Sequence, residues 1–422
     1  QNTCGADIIK ESGNTITIGA SGDTVTLASG ASQTGFGRTG TVDWQTSSIK
    51  TSTFTAESGK GYFCNTTGGS FEVDLPAGTA GAIVSIQDYN NTFDNNNLTV
   101  DPNGSEKING GTAGGYITLS TEGEGITLVY VDSTVGWRSI QDNVFADPGA
   151  IPSFVAATGG TVTTVCTNYK VHTFTGPGTF CVSCAGNADG SNTIDYLVIA
   201  GGGGGGDGAG SSTNAGGGGG AGGYRESSGT ASGSYTVSPL GAGVSALPVT
   251  ATGYPVTIGA GGTTGASGSN SVFTGTTTIT SAGGGNGGNG SSSPVAGSAG
   301  GSGGGANTNP GSGSAGNTPP VSPPQGNNGG SGGDSYSGGG GGATSVGEDA
   351  GAGASGGGNG ATSSINGTPT ARAAGGDGGG TSGPAGTPQT ANTGNGAPRG
   401  GAPGNAGGTG GSGIVIIRYK FQ

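Results

Sequence analysis

Methionine is absent from this 422-residue chain, and histidine occurs once, as His172. A single imidazole leaves little material for acid–base or metal chemistry. Charge is scarce as well: 9% of residues are charged, with 12 Lys and Arg against 24 Asp and Glu, for a formal net charge of -12. That shortage of cations argues against nucleic acid or an anionic membrane as partner. Hydrophobic residues make up 29% of the chain. Ordinary globular domains hold ~45–50%, so a conventional core cannot run the whole length. No apolar run approaches the ~20 residues of a transmembrane helix, so no membrane insertion is expected. With no methionine even at position 1, Gln1 is expected not to be a translation start, and no signal peptide is legible before Cys4. The chain then reads as a processed form or as the C-terminal part of something longer.

What the sequence does have is glycine, 105 residues of it, and unevenly placed. Residues 1–200 hold 29 and residues 201–422 hold 76 (105 − 29), so the composition changes at Ala200–Gly201. The first part reads as all-β. Residues 13–30 contain a nine-residue repeat in which Ile16 and Ile18 align with Val25 and Leu27. Alternating apolar and threonine residues describe a strand with one buried face. Residues 1–50 are therefore expected to form a β-repeat shaft segment, with an ordinary hairpin as the alternative. Residues 51–145 read as a compact β module with strands over 70–75, 82–88, 97–100, 116–120, 125–131 and 136–139, and Trp44, Phe54, Phe63, Phe71, Ile83, Ile86, Leu128, Tyr130 and Trp137 in its core. Turn residues such as Pro102-Asn-Gly104 separate the strands. Residues 146–158 read as a linker, and 159–200 as three or four strands leading into a tip.

The tip, residues 201–422, closes with a β-prone strand over 414–421 and admits three readings. A flexible linker is the compositional default, but the segment is far too long for one. Collagen needs glycine at every third position, whereas the runs here, such as Gly201–Gly206, Gly216–Gly220 and Gly338–Gly342, are irregular. The third reading is a bundle of polyglycine II helices. A chain in that conformation has three residues per turn and no internal hydrogen bonds, so its amides must bond to neighbouring segments. Glycine allows the close approach. If the strands 196–199 and 414–421 pair at one end, the chain must cross the bundle an even number of times. About nine glycine-dense segments are visible, so one crossing is hidden or miscounted.

Tyr196–Gly206, the run Gly216–Gly223 followed by Tyr224-Arg225, and the terminal Gly413–Phe421 resemble the glycine-rich domain of bacteriophage tail-fibre proteins. Asn14–Leu27, Phe71–Pro76 and Gly125–Trp137 are similar to fibre modules of marine tailed phages. The resemblance implies a layered polyglycine II tip whose exposed loops touch a host receptor, an outer-membrane protein or a glycan. It also implies a homotrimer, other virion tail proteins as partners, and a place on the extracellular tail fibre. A typical fibre protein would begin with a virion-attachment region, and none is legible ahead of residue 1.

Other chemistry is weakly supported. Cys181-Val-Ser-Cys184 with Cys166 and His172 outlines a zinc set, but residues three apart on a strand face opposite sides. A disulfide from Cys166 to Cys184 or to Cys181 is the alternative, and free thiols are the default. No metal and no cofactor are expected. The GxGxxG within Gly201–Gly206 lacks the strand–helix context of a nucleotide site. Glycan cleavage needs two convergent carboxylates, and of Asp207, Glu226, Asp334, Glu348, Asp349 and Asp377 only Glu348 and Asp349 are neighbours. No enzyme is expected. Large side chains isolated among glycine and serine offer contact area, which selects Tyr224, Arg225, Asp334, Tyr336, Glu348, Asp349, Arg372 and Arg399 as receptor-contact candidates. The expected function is non-enzymatic attachment to a bacterial surface. A structural subunit of an extracellular filament is the alternative, and a polysaccharide-degrading tailspike is the third reading.

Overall fold

A computed structural model describes residues 9–12, 15–18, 42–140, 151–210, 214–233, 235–351, 353 and 355–422. It divides the chain into two compact units, Gln1–Ile151 and Pro152–Gln422.

The first unit begins with an antiparallel pair, β1 (Ile9–Ser12) and β2 (Thr15–Ile18). Of the first copy of the nine-residue repeat, Thr15–Ile18 is described and forms β2 of this pair; the second copy lies outside the described residues. Nine further strands follow: β3 (Asp43–Trp44), β4 (Phe54–Thr55), β5 (Lys60–Cys64), β6 (Phe71–Asp74), β7 (Ile83–Asp88), β8 (Leu98–Asp101), β9 (Ile117–Leu119), β10 (Gly125–Asp132) and β11 (Gly136–Ser139). From β3 to β8 the chain alternates between two sheets, ordered β11-β10-β7-β5-β3 and β4-β6-β8-β9. Each circuit adds a strand parallel to the one before it, as in the pairs β3/β5, β5/β7, β4/β6 and β6/β8. The side chains between the sheets form the core, among them Tyr62, Val73, Leu98, Phe93, Leu128 and Trp137. Of the core residues expected from sequence, Trp44 is instead 40% exposed and Phe63 and Ile83 are half-buried outside the core; Phe63 alternates along β5 with the buried Tyr62 and Cys64, and its ring packs on Trp44 (centroids 4.9 Å apart).

The second unit opens with β12 (Val155–Thr158), β13 (Thr161–Val165), β14 (Tyr169–Phe174), β15 (Gly178–Ala185) and β16 (Thr193–Ile199). Residues 155–158 are thus a strand, not part of a linker: Val155 is buried, and β12 pairs with β15. Next come β17 (Tyr224–Glu226), β18 (Leu247–Pro248), β19 (Gly253–Thr257), β20 (Ser271–Thr274) and β21 (Thr278–Ser281). The short strands β22 (Tyr336–Ser337), β23 (Ala361–Ser363), β24 (Thr370–Arg372) and β25 (Gly379–Gly380) precede β26 (Ile414–Lys420). One sheet runs β12-β15-β19-β20-β21, the other β13-β14-β26-β16-β17. They face each other across Phe180, Tyr196, Val198, Tyr254, Phe273, Val415 and Ile417. The alternate residues Leu197, Ile199, Ile414 and Ile416 pack on the opposite face with Tyr224, Ala221 and Ala343. A sheet covered on both faces explains why β26 reads as the nearly unbroken apolar run Ile414-Val-Ile-Ile417. β16 and β26 are antiparallel partners, so the chain leaves this β base through β16 and returns to it through β26. The composition change at 200–201 is consequently not a structural boundary.

Most of the glycine runs are neither strand nor helix. Among the described residues the one regular helical element is a 3₁₀ turn, Pro239–Gly241, so no conventional helix bundle is present. The runs have their own order, written in their hydrogen bonds. Gly201 N–H donates to Ser269 and Gly204 to Ala266; Gly202 donates to Gly411 and Gly205 to Gly408; Gly203 donates to Gly220 and Gly206 to Gly217. The acceptor segment rotates with a period of three residues, and each successive turn moves three residues along the partner. Segment 214–223 behaves likewise, with Gly217 and Gly220 donating to Gly288 and Gly285, and Gly219 and Gly222 to Ala397 and Gly394. These bonds satisfy buried amides that apolar burial would otherwise leave orphaned. They also demand contact without side chains. A methyl group built on Gly203 would overlap the Gly285 carbonyl, and one on Gly219 would overlap the Gly203 carbonyl.

Candidate functional site

The same bonds define a far end. Moving out from the base, the antiparallel pairs are Ala200–Gly223, Gly203–Gly220, Gly206–Gly217 and Ala209–Asn214, the last standing farthest from β16. At that level Gly404 donates to Ala209, Gly208 to Asn405, Gly290 to Asp207, and Thr308 to Ala215. Neighbouring turns join through an isolated bridge between Gly311 and Gly332. The backbone N–H of Ser331 donates to Asp349 Oδ1 (2.7 Å) and that of Gly357 to Asp377 Oδ1 (2.9 Å). Arg399 N–H donates to the Asp377 carbonyl. The turns opposite the β base therefore gather Asp207, Asp334, Tyr336, Glu348, Asp349, Asp377 and Arg399.

The eight contact candidates divide accordingly. Asp334, Glu348 and Asp349 are exposed at the distal end, and Tyr336 and Arg399 are half-buried there. Three candidates belong to the base. Tyr224 is 1% and Arg372 8% exposed, so neither is open to a receptor. The Tyr224 hydroxyl donates to Glu226 Oε2 (2.9 Å), and burial pushes its pKa well above the usual tyrosine range. Glu226 also accepts from Ser238 N–H (3.0 Å) and from the Ser363 hydroxyl (2.5 Å), tying β17 to β23. Burial lowers the Arg372 pKa, while Tyr224 and Glu226 beside it partly restore the charged form. Arg225 is half-buried in β17. An aromatic isolated among glycines is thus as well placed to cap a sheet as to meet a ligand.

Asp195, which sequence reasoning passed over, is fully buried and accepts from Ser227 Oγ (2.8 Å), Gly229 N–H (3.1 Å) and Ser232 Oγ (2.5 Å). Arg418, its cross-strand partner, lies between the rings of Tyr169 and Tyr235, 4.8 and 4.9 Å from their centroids. Both side chains brace the base.

The zinc set does not assemble. His172 is buried with Nδ1 2.7 Å from the Gly159 carbonyl and Nε2 3.0 Å from the Tyr419 hydroxyl, and desolvation lowers its pKa from the ordinary 6.5. Cys166, Cys181 and Cys184 are free thiols. The alternative, a Cys166–Cys184 disulfide, is not formed: Cys166 follows β13 in one sheet, whereas Cys184 lies in β15 of the other. In the first unit, Glu72, Asp74 and Asp101 bring carboxylate oxygens within 4.8 Å of one another on the β6/β8 face. Desolvation raises the pKa values of Glu72 and Asp101, and the Asp74 carboxylate beside them adds to both shifts.

Residues 175–420 match the glycine-rich domain family. The chain belongs to that family. The match begins before the composition change and ends in β26, so the glycine-rich domain includes β15, β16 and β26 of the base as well as the glycine runs, while β12–β14 precede it. No curated protein matches this chain.

Proposed function

We propose that this protein is a non-enzymatic attachment protein, a bacteriophage tail-fibre adhesin, whose glycine-rich domain presents its distal loops to a bacterial surface receptor. In this reading the glycine runs are polyglycine II helices. The observation that supports it is the three-residue rotation of hydrogen-bond acceptors along 201–206 and 216–223, which is the periodicity of that conformation. Backbone bonds in several directions make a stiff platform without a large apolar core. The segment from Ala200 to Ala209 would span roughly 28 Å at ~3.1 Å per residue. Such a platform holds irregular loops in fixed relation, the arrangement that recognition on a rigid scaffold requires.

The adhesin would act as a homotrimer on the virion, joined to other tail proteins. The resemblance of Tyr196–Gly206 and Gly413–Phe421 to fibre tips supports that placement. The exposed distal residues Asp334, Glu348 and Asp349, with half-buried Tyr336 and Arg399, remain the contact set. The test is adherence of labelled protein to a panel of bacterial strains. Exchanging loop 333–337 for a Gly/Ser loop is expected to abolish adherence to a strain the parent binds, whereas Arg225→Ala at the base leaves it intact. Release of oligosaccharides from capsular polysaccharide, or an open polymer in place of a discrete trimer, contradicts the reading.

A further inference from the structure

Between the distal turns lies a cleft of ≈ 210 Å³ whose lining includes Asp377, Pro384, Ala385, Thr387, Pro398 and Arg399. Its cation stands out. Four of the distal carboxylates have structural work: Glu348 Oε2 accepts from Gly356 N–H, Asp349 from Ser331, Asp377 from Gly357 and Asp207 from Gly407. Arg399 has none of this. Its Nε is buried without a hydrogen-bond partner. The one ion pair among the described residues is Lys60–Glu57, so no described carboxylate lies within pairing distance of the guanidinium. Space has nevertheless been kept for it: a methyl group on Gly379 or Gly383 would come within 2.8 or 3.0 Å of its terminal nitrogen.

A guanidinium partly withdrawn from water and left unpaired is costly. A planar oxyanion supplies the missing partner in a two-pronged geometry. The other walls narrow the choice. Pro384 and Pro398 offer apolar surface, while the Thr387 hydroxyl and the Asp377 carboxylate can bond to hydroxyl groups. The Asp377 carboxylate in the lining, on a chain of formal net charge -12, disfavours a polyanion. We propose that this cleft binds a single hexuronate residue of a bacterial surface polysaccharide, with its carboxylate on Arg399, its hydroxyls toward Asp377 and Thr387, and its C–H face on the prolines. The assignment rests on the distal loops being the receptor-facing end.

Calorimetric titration of the full chain with glucuronate- and galacturonate-containing oligosaccharides tests it, with carboxyl-reduced and sulfated counterparts alongside. The expected result is binding of a hexuronate oligosaccharide that weakens at least ~10-fold on carboxyl reduction and again in Arg399→Gln, the loss expected for a charge-assisted bidentate contact. Ala385→Trp, which fills the cleft without altering the guanidinium, should abolish binding too, and it serves if the arginine variant fails to fold. No hexuronate binding, equal binding of the carboxyl-reduced form, preference for the sulfated form, or unchanged binding in Ala385→Trp overturns the assignment. Strain adherence that survives in both variants but is lost on exchange of loop 333–337 removes the cleft and leaves distal recognition standing.

Discussion

The first unit and the glycine runs of the second achieve solidity by opposite means. In the first, buried side chains fill the space between two sheets, with Leu98 and Trp137 fully enclosed. In the glycine runs of the second, the enclosed atoms are main-chain amides and carbonyls, and a side chain is an obstruction. Burial of apolar area tolerates imperfect fit because it is non-directional. A lattice of hydrogen bonds at every third residue tolerates almost none, since each amide has a single partner segment. The contrast teaches that a low hydrophobic fraction need not mean disorder when the backbone itself is close-packed.

The sharpest way to break this comparison is to add a side chain inside the lattice. Gly219→Val would overlap the Gly203 carbonyl and neighbouring backbone, and is expected to cost more than about 4 kcal/mol, at the extreme end for point substitutions. Gly210→Ala meets open space and should stay within about 0.5 kcal/mol of the parent. Thermal unfolding of both variants checks the pair. In the first unit the rule is reversed. Leu98→Ala removes a fully buried side chain and should cost about 2–5 kcal/mol, lowering the melting transition of that unit.

Smaller effects follow from protons. Desolvation holds the folded His172 pKa below the ordinary 6.5. The unfolded chain therefore binds the proton more readily, and stability falls as pH drops from about 6.5 toward the depressed value. His172→Gln should flatten that slope in melts recorded between pH 7 and 5. For Glu72 the sign is opposite. Its raised pKa favours the protonated folded form, so this contribution is present at low pH and is lost as pH rises through the ordinary carboxylate range and beyond. Glu72→Gln is expected to raise the first unit's melting temperature slightly at pH 7, with little change at pH 4.

Much of the β structure was legible because it alternates or is bounded by turns. Gly136–Ser139 matches its expected span to the residue, and the strands at 71–74, 83–88 and 98–101 match theirs within a residue or two. Lys60–Cys64 leaves no such signal: it is flanked on both sides by parallel neighbours and carries no two-residue alternation of apolar and polar residues. Val155–Thr158 has a linker's composition, with proline before it and alanine within it, and the partner that makes it a strand, β15, lies more than twenty residues away. The glycine runs showed their composition but not their direction. Whether Tyr224 or Tyr336 faces outward depends on which segment each run bonds to, and that information resides in contacts hundreds of residues apart, such as Gly202 with Gly411.

Amide hydrogen exchange read at individual glycines tests the account most directly. If inter-segment backbone bonds hold the runs together, the amides of Gly203, Gly219, Gly285 and Gly340 should exchange as slowly as those of Leu197 in β16 and Ile416 in β26. Exchange of these glycines at the rate of an unprotected coil, while the two strands stay protected, would contradict it.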